Sequence, residues 1–455
     1  MIFLSKPDSI VRKNISMALA YVFPESLRQA MQKLAQLCTH CLVIAKGFLT
    51  EWMQIAADCP RQANIVVLLD VLCGNRYAWV SIVEQSVANE KIIIGLNSGP
   101  AFDGVDAAAV VVRGAGERMK VSTVGHCRVD YVPTLRARLA RAAEKTIPPD
   151  KLADLAADVT TFFAQAVEDI IALCELNAGS VRAIATEGQT GIIAGGVLQP
   201  EAIAQDLQIP VISCFSKGSI AAGGLGSPMG AWADWLLFRH KRCCRTVVRL
   251  GHIARLTFIG SASLSDDVIA FDVGPCSAAC DSVAREHFDC DFDADGAIAA
   301  RGKLNPALLN ELLSNPYFGQ SPPKACKPAQ WANVYAQRLG LMADKHRCQP
   351  ADLMTTVCEM IAVSIVRAIG RMTERPHDVI LAGGGARNIH LASRIRELMC
   401  PAGTVGTEKH QIPASAYAAV CYGILGAARL SKFAAYCRHE DGASRRVVLG
   451  SVVLG

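Results

Sequence analysis

Apolar positions recur at helical spacing through Leu27, Met31, Leu34, Leu37 and Leu42, so residues 1–90 read as a helix-rich extension. From Lys91 the texture changes to short β-rich runs alternating with helices. Strands are expected at Lys91 to Gly95, Ala107 to Arg113, Val181 to Thr186 and Pro210 to Phe215. Between them Leu152, Leu155, Val159, Phe162, Ala166, Ile170 and Leu173 fall on one face of a long amphipathic helix. The pattern restarts after residue 245. Three strands, Thr246 to Leu250, Ala254 to Gly260 and Asp267 to Val273, precede a helix through Cys280 and Val283. Helices are expected at Pro306 to Leu313, Pro350 to Gly370 and Pro413 to Leu430, with a strand at Asp378 to Ala382. The expected organisation is a helical extension (1–90) and two α/β halves (91–245 and 246–455). Each half opens with a strand pair around a glycine turn.

A length of 455 residues and 51% hydrophobic content allow two or three domains with large cores. The net charge of +5 gives no case for a nucleic-acid partner. The one dense basic run, Arg239 to Arg245, has no interleaved aromatic residues for base stacking and reads as a solvated connection. The 18 cysteines are scattered singly through apolar stretches, as reduced buried thiols would be. The Cys38-Thr39-His40-Cys41 spacing lacks a second ligand pair, and Cys276 and Cys280 are neighbours on one helical face, so no metal site is expected. The N-terminus lacks the long apolar core of a secretory signal. The most apolar run, Ala63 to Gly74, is broken by Asp70 and too short to span a bilayer. The expectation is a cytoplasmic protein without a membrane partner.

The stretch Gly95 to Ala108, "GLNSGPAFDGVDAA", sets glycines and carboxylates between two strands. Such a turn lets backbone N–H groups approach phosphate oxygens, and Asp103 and Asp106 could hold a magnesium-bound water or orient a nucleotide tail. Alone it could equally be a plain hairpin. It does not stand alone. Gly251 sits between strands at the start of the second half, and "LAGGGARN" (Leu381 to Asn388) places three glycines between a strand and a helix N-terminus. The dinucleotide Gly-x-Gly-x-x-Gly fingerprint and the Gly-Lys-Ser/Thr loop are absent. Two halves with a phosphate hairpin each, plus a late glycine turn, describe an actin-like (ribonuclease H-like) α/β architecture with a cleft between two lobes.

From Lys91 to the C-terminus the chain resembles the anhydro-N-acetylmuramic acid kinases, sugar kinases of peptidoglycan recycling. The matching stretches are "GLNSGPAFDGVDAA", "IAAGGLGSPM", "FDVGP", "DADGAIAARGKL", "NPYFGQSPPK", "LAGGGARN" and "GASRRVVLG". Residues 1–90 have no counterpart. The resemblance implies ATP and Mg2+ as cofactors and an amino sugar as substrate, and leaves a homodimer open. It implies opening of the anhydro bridge by water with phosphorylation of O6. It assigns the general base to Asp272. Nucleotide contacts fall to Gly99, Pro100, Ala101, Phe102, Asp103, Gly104, Val105, Asp106, Gly251, Gly383, Gly384 and Gly385, and sugar contacts to Glu187, Gln189 and Lys324.

The chain departs from the family pattern around the chemistry. The hairpin Thr and Ser are Pro100 and Ala101, and Pro100 removes an amide donor. Two asparagines of the second hairpin are Arg249 and Arg255, and one glycine is His252. The family's Ala-Asp-Phe-Arg-Arg-Arg-Asp loop reads Ser213, Cys214, Phe215, Ser216, Lys217, Gly218, Ser219, so both acids and most of the arginine cluster are gone, and a Glu of the last helix is Ala418. Three readings follow: a working kinase, a nucleotide- or partner-binding pseudokinase, and a kinase of shifted specificity with Glu187 and Lys217 as contacts. Arg249 and Arg255 are candidates to hold phosphate electrostatically.

Overall fold

The computed structural model describes residues 91–148, 151–193, 196–226, 229–326, 331, 333–437 and 446–455, together with the backbone of two short strands at 69–70 and 77–80. The remainder of the expected helical extension, with Cys38 and Cys41, lies outside the described residues.

Two sheets form the framework. In the first, β1 (Leu69–Asp70), β2 (Tyr77–Val80), β3 (Lys91–Ser98), β4 (Gly104–Arg113), β5 (Lys120–Asp130), β6 (Val181–Gln189), β7 (Val211–Ser213) and β13 (Ser451–Val453) lie in the order β1-β2-β5-β4-β3-β6-β7-β13. In the second, β8 (Arg245–Leu250), β9 (Ile253–Ile259), β10 (Ile269–Pro275), β11 (Asp378–Ala382) and β12 (Gly403–Gly406) lie in the order β10-β9-β8-β11-β12. The arrangement β5-β4-β3-β6-β7 thus repeats as β10-β9-β8-β11-β12. In both, an antiparallel meander is followed by a parallel neighbour, β6 beside β3 and β11 beside β8. The fold is the α/β architecture of two related halves that the strand–glycine–strand pattern predicts.

Strand β4 is buried along nearly its whole length because helices cover both faces of its sheet. On one face lies α2 (Lys151–Leu173), which follows α1 (Pro133–Ala143) and buries Leu155, Val159, Phe163, Ala166, Val167 and Ile170. Phe163 is the fully buried aromatic, while Phe162 packs at the edge. On the other face lies α6 (Tyr417–Leu430). A Cβ on Gly95 would meet the Ala419 carbonyl oxygen at 1.9 Å, and one on Gly426 would meet Ala185 Cβ at 2.5 Å. These small residues let helix and sheet backbones approach closely. The last helix and β13 therefore complete the first sheet from the far end of the chain.

The second sheet packs on α4 (Ser277–Phe288) and α5 (Pro350–Ile369), with Val357, Met360, Ile361 and Ile365 fully buried. Between the lobes runs α3 (Ala231–Phe238), whose Trp232, Trp235 and Phe238 are buried. In the basic run after it, Arg239 stacks on Trp235 at 4.1 Å and Arg245 pairs with Asp378 at 3.3 Å. Among the described residues no helix is long and apolar enough to cross a membrane.

Candidate functional site

The first hairpin turn, Gly99 to Asp103, is stapled from below. Gln189 is fully buried, and its Nε2 donates to the carbonyls of Gly99 and Thr190, each at 2.8 Å. The Thr190 hydroxyl donates to the Ser98 carbonyl (2.9 Å), and Pro100 lies against Gly191. Gln189 therefore shapes the turn. Phe102 takes a positive φ of 54°, and no atom lies within 4 Å of where a Gly99 Cβ would stand. Gly104 has no such room, since its Cβ would meet the Val129 carbonyl at 2.4 Å, and Val105 is a core residue.

Behind the turn, Asp106 on β4 and Arg128 on β5 are cross-strand partners, with Nη1 3.1 Å from Oδ2. The Arg128 guanidinium also holds Asp103 (2.9 Å) and Asp130 (2.7 Å), and His126 Nε2 lies 3.1 Å from Asp106. Burial opposes its charge, yet Asp106, Asp103 and Asp130 carry Arg128 above its ordinary range. Asp106 is thus taken up by Arg128 and His126, whereas Asp103 stays half exposed at the turn.

The second hairpin meets its counterpart differently. The carbonyls of Gly251 and His252 accept N–H groups from Ser277, Cys276 and Ala278, so the turn caps the start of α4. The glycines after β11 fold back onto the same place: Cβ atoms on Gly383 and Gly385 would meet the Leu250 carbonyl at 3.0 and 2.8 Å. Gly384 has nothing within 4 Å, and the nearest atom to a Gly251 Cβ is 3.6 Å away. His252 is pushed down to about 4 by burial and by Arg285.

Asp272 and Arg255 face each other across β10 and β9. Arg255 Nε donates to Asp272 Oδ1 at 3.0 Å, and the Cys326 N–H donates to Oδ2 at 2.8 Å. Backbone bonds pin the 317–326 segment to the same strand. The Asp272 N–H donates to the Lys324 carbonyl (3.1 Å), and the Tyr317 hydroxyl donates to the Asp272 carbonyl (2.9 Å). Tyr317 and Phe318 pack on Trp331, and the carboxylate is 0% exposed as a residue. Lys324 Nζ donates to the Tyr317 carbonyl at 3.1 Å, and burial brings this amine down to about 8. Each lobe therefore carries a cross-strand Arg–Asp pair beside its hairpin, with the two residue types exchanged between strands.

Glu187, a buried carboxylate, accepts N–H bonds from Phe215 (2.7 Å) and Ser216 (3.3 Å) and the Ser216 hydroxyl. It neutralises the start of a short helix, Phe215–Ala221, and burial raises its pKa. Arg249 is likewise committed. Its Nη2 pairs with buried Asp234 at 2.9 Å and its guanidinium lies 4.8 Å from the Tyr417 ring centre. Tyr417 and Thr257 hydroxyls also donate to Asp234.

Three features escape the sequence reading. Asp281 shares a helical face with Ser277 and Arg285, four residues either way. Burial pushes it up to about 7, Ser277 and Arg285 offset part of this, and Asp103 and Asp291 add to the rise. Asp103 of one lobe thus lies within electrostatic reach of Asp281 of the other, and Arg136 on α1 bridges to Asp291 at 3.0 Å. The period-2 spacing of His126, Arg128 and Asp130 was a usable signal, as was the four-residue spacing around Asp281.

Residues 91–455 match the family model "Anhydro-N-acetylmuramic acid kinase". The chain is 31% identical over 373 residues to an anhydro-N-acetylmuramic acid kinase of Gloeobacter violaceus, covering 79% of this chain and 98% of that one. It is 30% identical over 377 residues to one of Francisella tularensis subsp. novicida, covering 80% and 98%. Among solved structures it is similar to a ROK family glucokinase from Streptomyces griseus in complex with glucose and AMPPNP. That likeness has 13% identity and a TM-score of 0.31 and covers 74% of this chain and 98% of that one.

Proposed function

This chain belongs to the anhydro-N-acetylmuramic acid kinase family, and from that premise we infer that it is an ATP-dependent kinase acting on the anhydro amino sugar in cytoplasmic peptidoglycan recycling. When bound, Mg·ATP supplies the γ-phosphoryl group and the positive charge that eases its transfer. The residues fit such a group. Gly99, Gly251 and Gly384 offer bare backbone at three turns, and Asp103 at one of them is half exposed. Magnesium held through one or two carboxylates and the phosphates needs no cage of protein ligands, and none is found among the described residues.

The sugar half needs a base. Water attacks the anomeric carbon, the bond from that carbon to the bridge oxygen breaks, and this oxygen accepts the γ-phosphoryl group as its bond to the departing ADP breaks. The proton from water goes to Asp272. Its oxygens are engaged by Arg255 and Cys326, so transfer requires one contact to open. Arg255 is the movable partner: a third of its side chain (32%) meets solvent, whereas Cys326 belongs to a segment pinned through Tyr317 and Trp331. Positioned general bases contribute about a hundredfold to ten-thousandfold.

The continuous match over residues 91–455, on a framework with three bare glycine turns, carries this reading. Its test is calorimetric titration of the full chain with Mg·ATP and with the anhydro sugar. Saturable heats for both support it; no heat at millimolar concentration of either contradicts it.

A further inference from the structure

We propose that Phe292 is a nucleotide-binding residue whose ring stacks on the base. The inference rests on the functional reading above, which puts the nucleotide's phosphates at the glycine turns. Among the described residues Phe292 is the one aromatic residue that is exposed rather than buried or half-buried, with 59% of its surface in solvent. Leu264, Leu341 and Leu454 are more exposed still, but they are aliphatic and present no π-face.

The segment that carries Phe292 joins the lobe junction to the glycine turn after β11. Asp291, on one side of it, pairs with Arg136 of α1 in the first lobe at 3.0 Å. Asp293, on the other side, is buried and accepts the N–H groups of Ile298 (2.7 Å) and Ala299 (3.0 Å). Gly296 then takes a positive φ of 77° and lies against the residues that follow the turn. A Cβ there would meet the His390 N at 3.0 Å and Asn388 Oδ1 closer still. Asn388 caps the helix Ile389–Met399, and Ile389 at its start is 64% exposed. The backbone is thus held on both sides of Phe292 while the ring is left bare. Covering a phenyl ring is favourable, and this one forgoes that gain until a partner arrives. A nucleotide with its phosphates at Gly99 and Gly251 and its nucleoside at Gly384 runs along this segment. That course brings its base, a flat π-surface, to the ring.

A bare ring would also suit a contact between two copies of the chain, so the test must separate the two. The full chain is titrated calorimetrically with Mg·ATP and with Mg·tripolyphosphate, which shares the phosphates and lacks the nucleoside. Wild type is compared with Phe292→Ala and Phe292→Trp. Phe292→Ala should weaken Mg·ATP about fivefold to a hundredfold, the scale of one base–aromatic stack, and leave tripolyphosphate unchanged. Phe292→Trp should keep the wild-type affinity, and its added indole emission should be quenched by Mg·ATP and not by tripolyphosphate. Equal weakening of both probes in Phe292→Ala overturns the proposal. Unchanged ATP affinity overturns it too, and a fall in self-association in that variant would assign the ring to a contact between copies. Wild type that gives no heat with Mg·ATP defeats the functional reading and the proposal with it, a result distinct from either.

Discussion

Arg255 and Asp272 stand opposite each other in the β9–β10 ladder, with Nε 3.0 Å from Oδ1 and the carboxylate wholly shielded from solvent. The first lobe has the corresponding pair, Asp106 and Arg128 on β4 and β5. Both pairs sit next to the hairpin turns that would meet phosphate. Charge beside the cleft is thus fixed by strand register, which holds each guanidinium where its sheet puts it.

The buried pair of Arg249 and Asp234 makes a sharp stability test. Arg249→Met leaves buried Asp234 without its cation, with only hydroxyl and thiol donors. The expected loss is about 3–5 kcal/mol in denaturant unfolding. Asp234→Asn combined with Arg249→Met should recover part of it, because the stranded charge is gone. A loss under about 1 kcal/mol in the single variant would show that Asp234 finds other compensation.

Asp281 gives a pH dependence of known sign. Its folded value of about 7 lies above the ordinary 3.8, so between these values the folded chain holds a proton the unfolded chain has released. The group's contribution therefore falls as pH rises from about 4 to 7. Asp281→Asn should match wild type near pH 4 and exceed it at pH 8 by on the order of 1–3 kcal/mol, after allowance for partial solvent screening. Equal differences at both pH values would contradict this.

Lys324 shifts the other way. Its amine titrates at about 8 when folded and at about 10.4 when unfolded, so in this window the unfolded chain carries the extra proton. Stability from this group rises with pH from about 8 to 10.4, and the cost of burying the charge is fully present below 8. The wild-type-minus-Lys324→Met difference in unfolding free energy should move toward wild type between pH 7.5 and 10. A flat difference would remove the buried-amine assignment.

The glycine turn after β11 separates binding from folding. Gly384→Val enters open space and should leave the melting temperature nearly unchanged while weakening ATP at least tenfold. Gly385→Ala drives its Cβ toward the Leu250 carbonyl at 2.8 Å and should destabilise the fold itself. Unaltered ATP affinity in Gly384→Val would place the nucleotide elsewhere.

Much of this framework was legible locally. The expected strand Asp378 to Ala382 and helix Pro306 to Leu313 match the observed bounds, and the glycine turns announced themselves by composition. Helix α3 did not, because "AWADWLLF" is apolar nearly all round and has no stripe to read. The return of α6 to the first sheet depends on Gly95 meeting Ala419 and Gly423, and Gly426 meeting Ala185, across hundreds of residues. The site divides similarly. Turn glycines follow from local chemistry, but Gln189 and Glu187, expected at the sugar, are buried in support of backbone. That Asp272 faces Arg255 is a matter of strand register, which a list of motifs does not contain.

The most direct measurement incubates the full chain with ATP, magnesium and the anhydro sugar and follows ADP and sugar 6-phosphate together, for wild type and Asp272→Asn. The expected result is equimolar formation of both products by wild type and a loss of at least about a hundredfold in the variant. Absence of sugar phosphate with wild type, or equal turnover in the two proteins, would contradict the account.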